Sequence, residues 1–533
     1  MHRTKKILKS IFILLATLFA LVLLYLFYLT IHLKVYLPDT PLAVKELSSN
    51  QKEKDFKVLT KYVADLYPFN DALVSTKQLK DLNILADEYI SRARLTTSNE
   101  EFLRLFIEYT ELLRQAGHGG IVFPTYDLYS SYTLDIPKDA YLKSNYWKDE
   151  LAKLNLYYHS DIDITYVNGS YVVKTAYTIG DITLPANSVL TTVNNQPVEE
   201  YVKSLQNITP LRFDEENNKV YSNTIFIKDP GSNEKGWNAE FTLPDSSTVQ
   251  ILLPKIPGFQ PEDISKLYPS GNLFLTTLDE SIGYIKINSF EQQFISSDQS
   301  KLEEYFENNP HLDKIILDLR GNTGGEPTYW VELLLRPFLK ETAEYTQTTA
   351  VTKKFFKTFG LRYPVYRFIY SNDLLDKKTN HIANINKIDL EGYSVKSWNV
   401  YEITKRFTPE HSYSFDGQLY LLTDNDTLSA ADSYVTAVRE LNLGTVVGTN
   451  TLGWGNIFIS PMIFALPNSG LMFRMDVEAA FNVDGRETSI YGTNPDIKLS
   501  ISEYPATYPQ SYSKNALLED EWIKWCMQQD KHE

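Results

Sequence analysis

Lys-Ile-Ile-Leu-Asp-Leu-Arg-Gly-Asn-Thr-Gly-Gly-Glu-Pro, residues 314–327, runs a β-branched strand straight into a loop with three glycines in five residues. An apolar stretch from Tyr329 to Leu339 follows and reads as a helix. Glycine permits positive φ and close backbone approach, so such a loop can aim bare amides at a substrate oxygen. It is not a phosphate loop, because no Gly-Lys-Ser/Thr follows the glycines; a plain strand-to-helix turn is the alternative. A second strand-to-helix junction lies at Leu-Tyr-Leu-Leu-Thr-Asp-Asn-Asp-Thr-Leu-Ser-Ala-Ala-Asp-Ser-Tyr, residues 419–434. Beyond it Ala430, Ala431, Tyr434, Ala437, Val438 and Leu441 recur at three- and four-residue steps, one face of an amphipathic helix. Ser429 thus stands at a helix N-terminus, where free N–H groups and the positive dipole end favour negative charge. That suits a nucleophile whose attack creates an oxyanion, and it equally suits a simple Ser N-cap.

Two further segments follow, Gly-Thr-Val-Val-Gly-Thr-Asn-Thr-Leu-Gly-Trp-Gly-Asn-Ile (444–457) and Tyr-Gly-Thr-Asn-Pro-Asp-Ile (491–497). Read in order, residues of about 280–500 resemble the serine peptidase family of the C-terminal processing (tail-specific) proteases and the tricorn core protease. The shared pattern is Asp-Leu-Arg-Gly-Asn-x-Gly-Gly, then Thr-x-Ser-Ala-Ala-Glu/Asp, then Gly-x-x-Thr-x-Gly, then Gly-x-x-Pro-Asp. Here it stands at 318–325, 427–432, 448–453 and 492–496. The resemblance implies a catalytic core in the ββα spiral shared with crotonases and Clp proteases, with Ser429 as nucleophile. In the tail-specific branch a lysine activates the serine from Gly-Lys-Gly; here that place reads Gly453-Trp454-Gly455, and no lysine occurs between Thr427 and Ile497. The tricorn-like branch uses an upstream histidine in Asp-Gly-His-Thr or similar, which points to His118 in Gln115-Ala116-Gly117-His118-Gly119, with Ala116 replacing the Asp.

Local sequence agrees with that use of His118. The run Ser98 to Gln115 reads as a helix opened by a capping box of Ser98 and Glu101, with an apolar face at Phe102, Phe106, Tyr109 and Leu113. Gly117 is placed as its terminating left-handed residue, so His118 emerges from a glycine cluster just past a helix end. A serine hydroxyl is a weak nucleophile until a neighbouring base takes its proton, and an imidazole does that near neutral pH. The resemblance implies a glutamate that orients the ring, shortly before Gly-x-x-Pro-Asp; Glu487 is the expected residue, with Ser489 and Glu478 as alternatives. The oxyanion is expected on the backbone N–H groups of Ala430 and Gly324, donors of a kind worth on the order of 3 kcal/mol in a transition state.

No charge occurs from Ser10 through Leu33, and Ile11 to Ile31 is almost wholly aliphatic or aromatic. At ~1.5 Å per residue that is long enough to cross a hydrocarbon core of ~30 Å. Arg3, Lys5, Lys6 and Lys9 precede it, so the expected topology is a cytoplasmic tail (1–10), an uncleaved single-pass anchor (11–33) and an extracytoplasmic remainder. The first 34 residues hold five of the 52 Lys/Arg and none of the 67 Asp/Glu, which leaves the remainder at a net −20. Such a surface disfavours nucleic acid and anionic lipid. Cys526 is the only cysteine, so no intrachain disulfide exists, which fits a bacterial envelope.

The 500 or so residues after the anchor exceed a single core. Residues 35–145 read as a helical N-terminal domain, and 146–275 turn strand-like with turns at Asn168-Gly169 and Pro230-Gly231. Within the latter, 184–202 resembles the second half of a PDZ domain, without a carboxylate-gripping loop, and could add a peptide as a β-strand. From 276 to 500 strands alternate with helices, the mark of an α/β catalytic domain; 340–415 reads as a lid, part of the substrate cleft or a decorative insertion, and 501–533 as a C-terminal tail. No Gly-x-Ser-x-Gly, zinc-binding histidine cluster or EF-hand loop is present, and no metal or cofactor is expected. The expected activity is peptide-bond hydrolysis of a polypeptide substrate; the competing class is a non-catalytic ligand-binding or scaffold protein on the same fold.

Overall fold

The computed structural model describes residues 44–77, 79–122, 138–154, 158–222, 224–228, 235–257, 271–355, 379–381, 398–409, 412–457, 461–499 and 512–529, with short pieces at 16–17, 19–21 and 23–25. At its centre lies a six-stranded sheet in strict chain order: β1 (Leu273–Thr277), β2 (Ile282–Ile287), β3 (Lys314–Asp318), β4 (Gln418–Thr423), β5 (Thr445–Gly448) and β6 (Ile497–Lys498). β1 runs antiparallel to β2 and the other pairs are parallel. Parallel strands are covered on both faces and read as continuous apolar runs. Accordingly β2 and β3 are buried along their whole length.

The monotonic strand order decides where the helices go. Right-handed crossovers that always step the same way lay their helices on one face of the sheet. That face carries α1 (Ile295–Asn308) and α2 (Ala430–Glu440), packed through Leu302, Phe306, Tyr434, Val435 and Val438 on Ile315, Leu317, Leu419 and Leu421. The alternate residues Tyr284, Ile316, Tyr420, Leu422 and Val447 face the other way and need a separate cover. It comes from the chain's end. α3 (Glu521–Gln528) buries Trp522, Ile523 and Cys526 there, so residues 512–529 are part of the catalytic layer rather than a tail. Asp520 caps the N-terminus of α3 by accepting from Trp522 N (2.9 Å) and Ile523 N (3.2 Å). Lys314 Nζ closes its C-terminus on the carbonyls of Cys526, Met527 and Gln529, where the dipole favours a cation.

The Asp-Leu-Arg of the glycine-loop motif serves this layer. Arg320 bridges Asp318 (Nη2–Oδ2 2.6 Å) and Asp520 (Nη1–Oδ2 2.8 Å), all nearly inaccessible to solvent. Burial alone would raise the Asp318 carboxyl, but Arg320 and Lys286 override it and hold the group well below the usual carboxylate range.

Helices Ser49–Leu66, Asn70–Ser75, Leu82–Leu95 and Asn99–Glu111 form the N-terminal part, and a further helix, Lys138–Lys153, runs across the boundary expected at residue 146. Ser98 Oγ caps Asn99–Glu111 by accepting from Glu101 N (3.1 Å), while the Glu101 carboxylate reaches Thr97 N (2.6 Å) instead of closing the box on Ser98. The β-rich part therefore begins later than expected. Its antiparallel sheet has the order Thr248–Pro254, Gly236–Thr242, Val189–Val193, Ser170–Val173, Ile164–Val167. Asn168-Gly169 and Asn194-Asn195 make its hairpin turns with both residues at positive φ, as primed turns require. The turn expected at Pro230-Gly231 lies outside the described residues.

Of the segment 340–415, Ala343–Thr352 and Trp398–Phe407 pair along ten residues, and Ala343–Thr352 also pairs with Glu478–Phe481. This part is a sheet rather than a lid; residues 356–378 and 382–397 lie outside the description. Among the described residues no helix is long and apolar enough to cross a membrane, and the anchor expected at 11–33 falls largely outside them.

Candidate active site

β4 leaves the sheet at Thr423, turns through Asp424–Thr427, and delivers Ser429 to the first turn of α2. Asp424 Oδ1 sets the turn by accepting from Gly321 N (2.9 Å), Asp426 N (3.0 Å) and Thr427 Oγ1 (3.1 Å). Leu428 N donates to Asn322 O (3.0 Å) and Ser429 N to Gly453 O (2.8 Å), which fixes the serine between the two glycine loops. Ser429 has φ 60° and ψ −124°, a strained conformation for a residue with a Cβ. Its side chain caps nothing, so the simple N-cap alternative does not hold. Strain of ~1–3 kcal/mol persists only where surroundings over-determine it, commonly at functional sites.

The histidine arrives from the other end of the chain. Asn99–Glu111 tightens into a 3₁₀ turn, Leu112–Gln115, and Gly117 (φ 80°) reverses the backbone. Tyr67 OH donates to the carbonyls of Leu113 (3.1 Å) and Ala116 (3.2 Å), Lys77 Nζ to those of Gln115 (3.1 Å) and Leu211 (3.0 Å). Gln115 accepts from Leu211 N (2.8 Å), which ties this arm to the β-rich part. His118 Nε2 lies 2.7 Å from Ser429 Oγ, across 311 residues of sequence. The structure therefore brings the two expected side chains into hydrogen-bond contact.

The acid on the ring is Asp476, not Glu487. Asp476 Oδ2 accepts from His118 N (2.9 Å) and lies 3.1 Å from Nδ1. The carboxylate assigns the ring proton to Nδ1 and leaves Nε2 bare to accept from the serine hydroxyl. Glu487 caps the short helix Thr488–Tyr491, its Oε2 accepting from Ile490 N (2.8 Å). Burial pushes its carboxyl up to about 8, so it is mostly neutral at pH 7 and poorly suited to stabilise an imidazolium. The alternatives also face elsewhere: Glu478 bonds Thr349, and Ser489 is buried beside Glu487. In the sequence Asp476 stands in Leu-Met-Phe-Arg-Met-Asp-Val-Glu (471–478), where no motif sets it apart.

Between the Glu487 values of 4.5 unfolded and about 8 folded, the folded chain holds a proton that the unfolded chain has released. Stability therefore falls as pH rises through that window, by up to about 1 kcal/mol per pH unit from this group. Glu487→Gln is expected to flatten that part of the slope in denaturation measured at pH 5, 6.5 and 8; an unchanged slope contradicts the assignment.

Of the two expected oxyanion donors, Ala430 N opens α2 with no bond among the described residues. Gly324 N instead donates to Asn322 Oδ1 (2.8 Å). Gly324 is needed for approach: a Cβ there would stand 2.8 Å from Ser429 Cβ and 2.7 Å from Ala430 N. Among the described residues the amide left without a bond is that of the next residue. Gly324 O and Glu326 N both bond Phe290, so the alternating backbone turns Gly325 N to the opposite side. In the lysine's place Trp454 packs edge-on against His118, ring centroids 5.8 Å apart.

Gly117 shows how closely the acid is fitted, since a Cβ on it would lie 2.1 Å from Asp476 Oδ2. Gly117→Ala also places an alanine at φ 80°, at a cost of about 1 kcal/mol or more. It is expected to lower kcat at least tenfold with a modest drop in Tm; wild-type turnover would mean that the acid is not where the ring needs it.

A serine, an imidazole and a buried carboxylate in line, with amides beside the serine, define a serine hydrolase of the acyl-transfer class. Residues 281–499 match the family model Peptidase family S41, a family of serine peptidases. No curated protein matches the chain in sequence. Among solved structures, mature CPAF complexed with lactacystin is similar at 13% identity and TM-score 0.50, over 90% of this chain and 97% of that one. The photosystem II D1 C-terminal processing protease aligns at 12% identity and TM-score 0.39, over 85% and 94%. The tricorn protease aligns at 12% identity and TM-score 0.31, over 90% of this chain and 37% of that one.

Proposed function

We propose that this protein is a membrane-anchored, extracytoplasmic serine peptidase that cleaves polypeptides through an acyl-enzyme on Ser429. The observation that carries the reading is the Ser429–His118–Asp476 line, 2.7 Å and 3.1 Å. His118 takes the hydroxyl proton as the scissile carbonyl is attacked and returns it to the departing amine; Asp476 holds the ring; Ala430 N and Gly325 N receive the oxyanion. The β-rich part serves as a degenerate PDZ-like module, and the core as a ββα spiral of the crotonase and Clp kind. Support for the module is the primed turn at Asn194-Asn195 leading into the helix Val198–Ser204. The full-length chain should degrade reduced, unfolded casein and take up a fluorophosphonate on Ser429. Failure of both defeats the reading.

The anchor and its direction rest on the uncharged run from Ser10 to Leu33 and the four cations before it. Protease added to intact cells is expected to digest the domain after residue 35 and spare residues 1–10. A domain that resists until the cells are lysed reverses the topology.

A further inference from the structure

We propose that Trp454 is a positioning residue for the catalytic base: its indole, carried on the same frame as Ser429, holds the His118 ring in line with the serine hydroxyl. The inference rests on the serine-peptidase reading above and deepens it, because it names what fixes the imidazole besides Asp476.

The backbone that carries Trp454 is strained. Gly453, Trp454 and Asn456 all lie at positive φ, 91°, 65° and 65°. A bulky side chain seldom takes that conformation, because its Cβ crowds the following carbonyl. Such an outlier persists only where its surroundings over-determine it, as they do at active sites. Here they do so through hydrogen bonds on both residues that follow. Gly455 N donates to Asp432 Oδ2 (3.2 Å), Asn456 N to Ser433 Oγ (2.7 Å) and Asn456 Nδ2 to Thr436 Oγ1 (2.7 Å). Gln347, from the strand Ala343–Thr352, donates through Nε2 to Asn456 O. The flanking glycines are closed in as well. A Cβ on Gly453 would collide with Thr488 O, and one on Gly455 would stand 2.5 Å from Ser429 O.

Asp432, Ser433 and Thr436 all belong to α2, the helix that Ser429 precedes, and Ser429 N donates to Gly453 O (2.8 Å). Nucleophile and indole are therefore fixed to one helix. His118 is not, since it arrives on an arm from the other end of the chain, and its side chain can rotate out of line. Asp476 restrains the ring through Nδ1 (3.1 Å), a contact at one edge about which the imidazole can still swing. Trp454 supplies the second restraint, edge-on with ring centroids 5.8 Å apart, a geometry favourable to aromatic pairs. The indole is 8% exposed, so the restraint is itself packed in place. A base displaced by about 1 Å costs on the order of a hundredfold in rate. Because the indole acts through the imidazole, its loss should fall on kcat and leave KM alone.

The experiment compares Trp454→Gly, Trp454→Leu and Trp454→Phe in the full-length chain. It measures steady-state cleavage of reduced, unfolded casein and the rate at which a fluorophosphonate labels Ser429. Glycine accepts the backbone angles of residue 454, so Trp454→Gly removes the ring without bending the loop. It should lower kcat and the labelling rate together by about ten- to hundredfold, with KM within about threefold of native. Trp454→Phe keeps an aromatic ring against the imidazole and should stay within about fivefold of native in both rates. Trp454→Leu keeps bulk without a ring and should fall at least about fivefold below Trp454→Phe; should Trp454→Gly not fold, that comparison decides. Native turnover in Trp454→Gly overturns the proposal, as does Trp454→Phe no faster than the variants without a ring. A raised KM with the labelling rate unchanged also overturns it, since the indole would then be a wall of the substrate cleft. The native chain separates the failures. If it takes the label while the variants match it, only the role of Trp454 falls; if it neither takes the label nor cleaves casein, the peptidase reading falls and takes that role with it.

Discussion

Ser429→Ala and His118→Ala should each lower kcat on an unfolded polypeptide by about a million-fold, and the double variant should be no slower than either single. Groups that act as one unit lose their whole effect when any member goes, so the losses do not add. The 2.7 Å contact between Nε2 and Oγ makes these two side chains one unit, because neither can move the proton alone. A base drawn from elsewhere would leave His118→Ala close to native. Trp454 occupies the lysine's place, and no lysine stands between Thr427 and Ile497 to take over. Steady-state kinetics with active-site titration decides the point; retention of most of kcat/KM by His118→Ala removes the histidine from the mechanism. Stability separates the roles further. Ser429 is held at φ 60°, so Ser429→Gly should relieve strain and exceed Ser429→Ala in stability by about 1 kcal/mol or more, though both are inactive.

Most of the catalytic layer could be read from local pattern. β3 and β4 are apolar runs closed by turn residues, α2 shows a 3.6-residue period, and the ordered motifs tie the glycine loop to Ser429. His118 was legible through the resemblance to the histidine-using branch; its local setting, a capped helix and a left-handed glycine, equally suits a surface loop histidine. What escaped depends on packing between distant segments. Asp476 meets His118 across 358 residues, and nothing around it announces a partner. Gly324 lost its expected role to a side chain two residues back, since Asn322 takes its amide, and among the described residues the unbonded N–H is that of Gly325. The C-terminal helix was read as a tail because an eight-residue amphipathic segment says nothing of what it covers. Only the one-directional strand order shows that a bare sheet face awaits it.

Asp476→Asn should lower kcat by roughly ten-thousandfold, while Glu487→Gln changes it by only a few-fold. Asparagine keeps the size of the side chain but can offer its NH₂ to Nδ1, which selects the wrong tautomer and puts the ring proton on Nε2, facing the serine. The loss should therefore fall on kcat rather than KM, because no substrate contact is removed. It should ease at high pH, where the small fraction of serine already ionised no longer needs the base. Glu487→Gln alters a carboxyl that burial pushes up to about 8 and that is bonded to Ile490 N rather than to the ring. Its effect belongs to the pH dependence of folding. The two variants thus separate the acid that the structure places on the imidazole from the acid that the sequence pattern favoured. A large kcat loss in Glu487→Gln, with Asp476→Asn near native, would return the role to Glu487 and require the loop at 476 to rearrange when substrate binds.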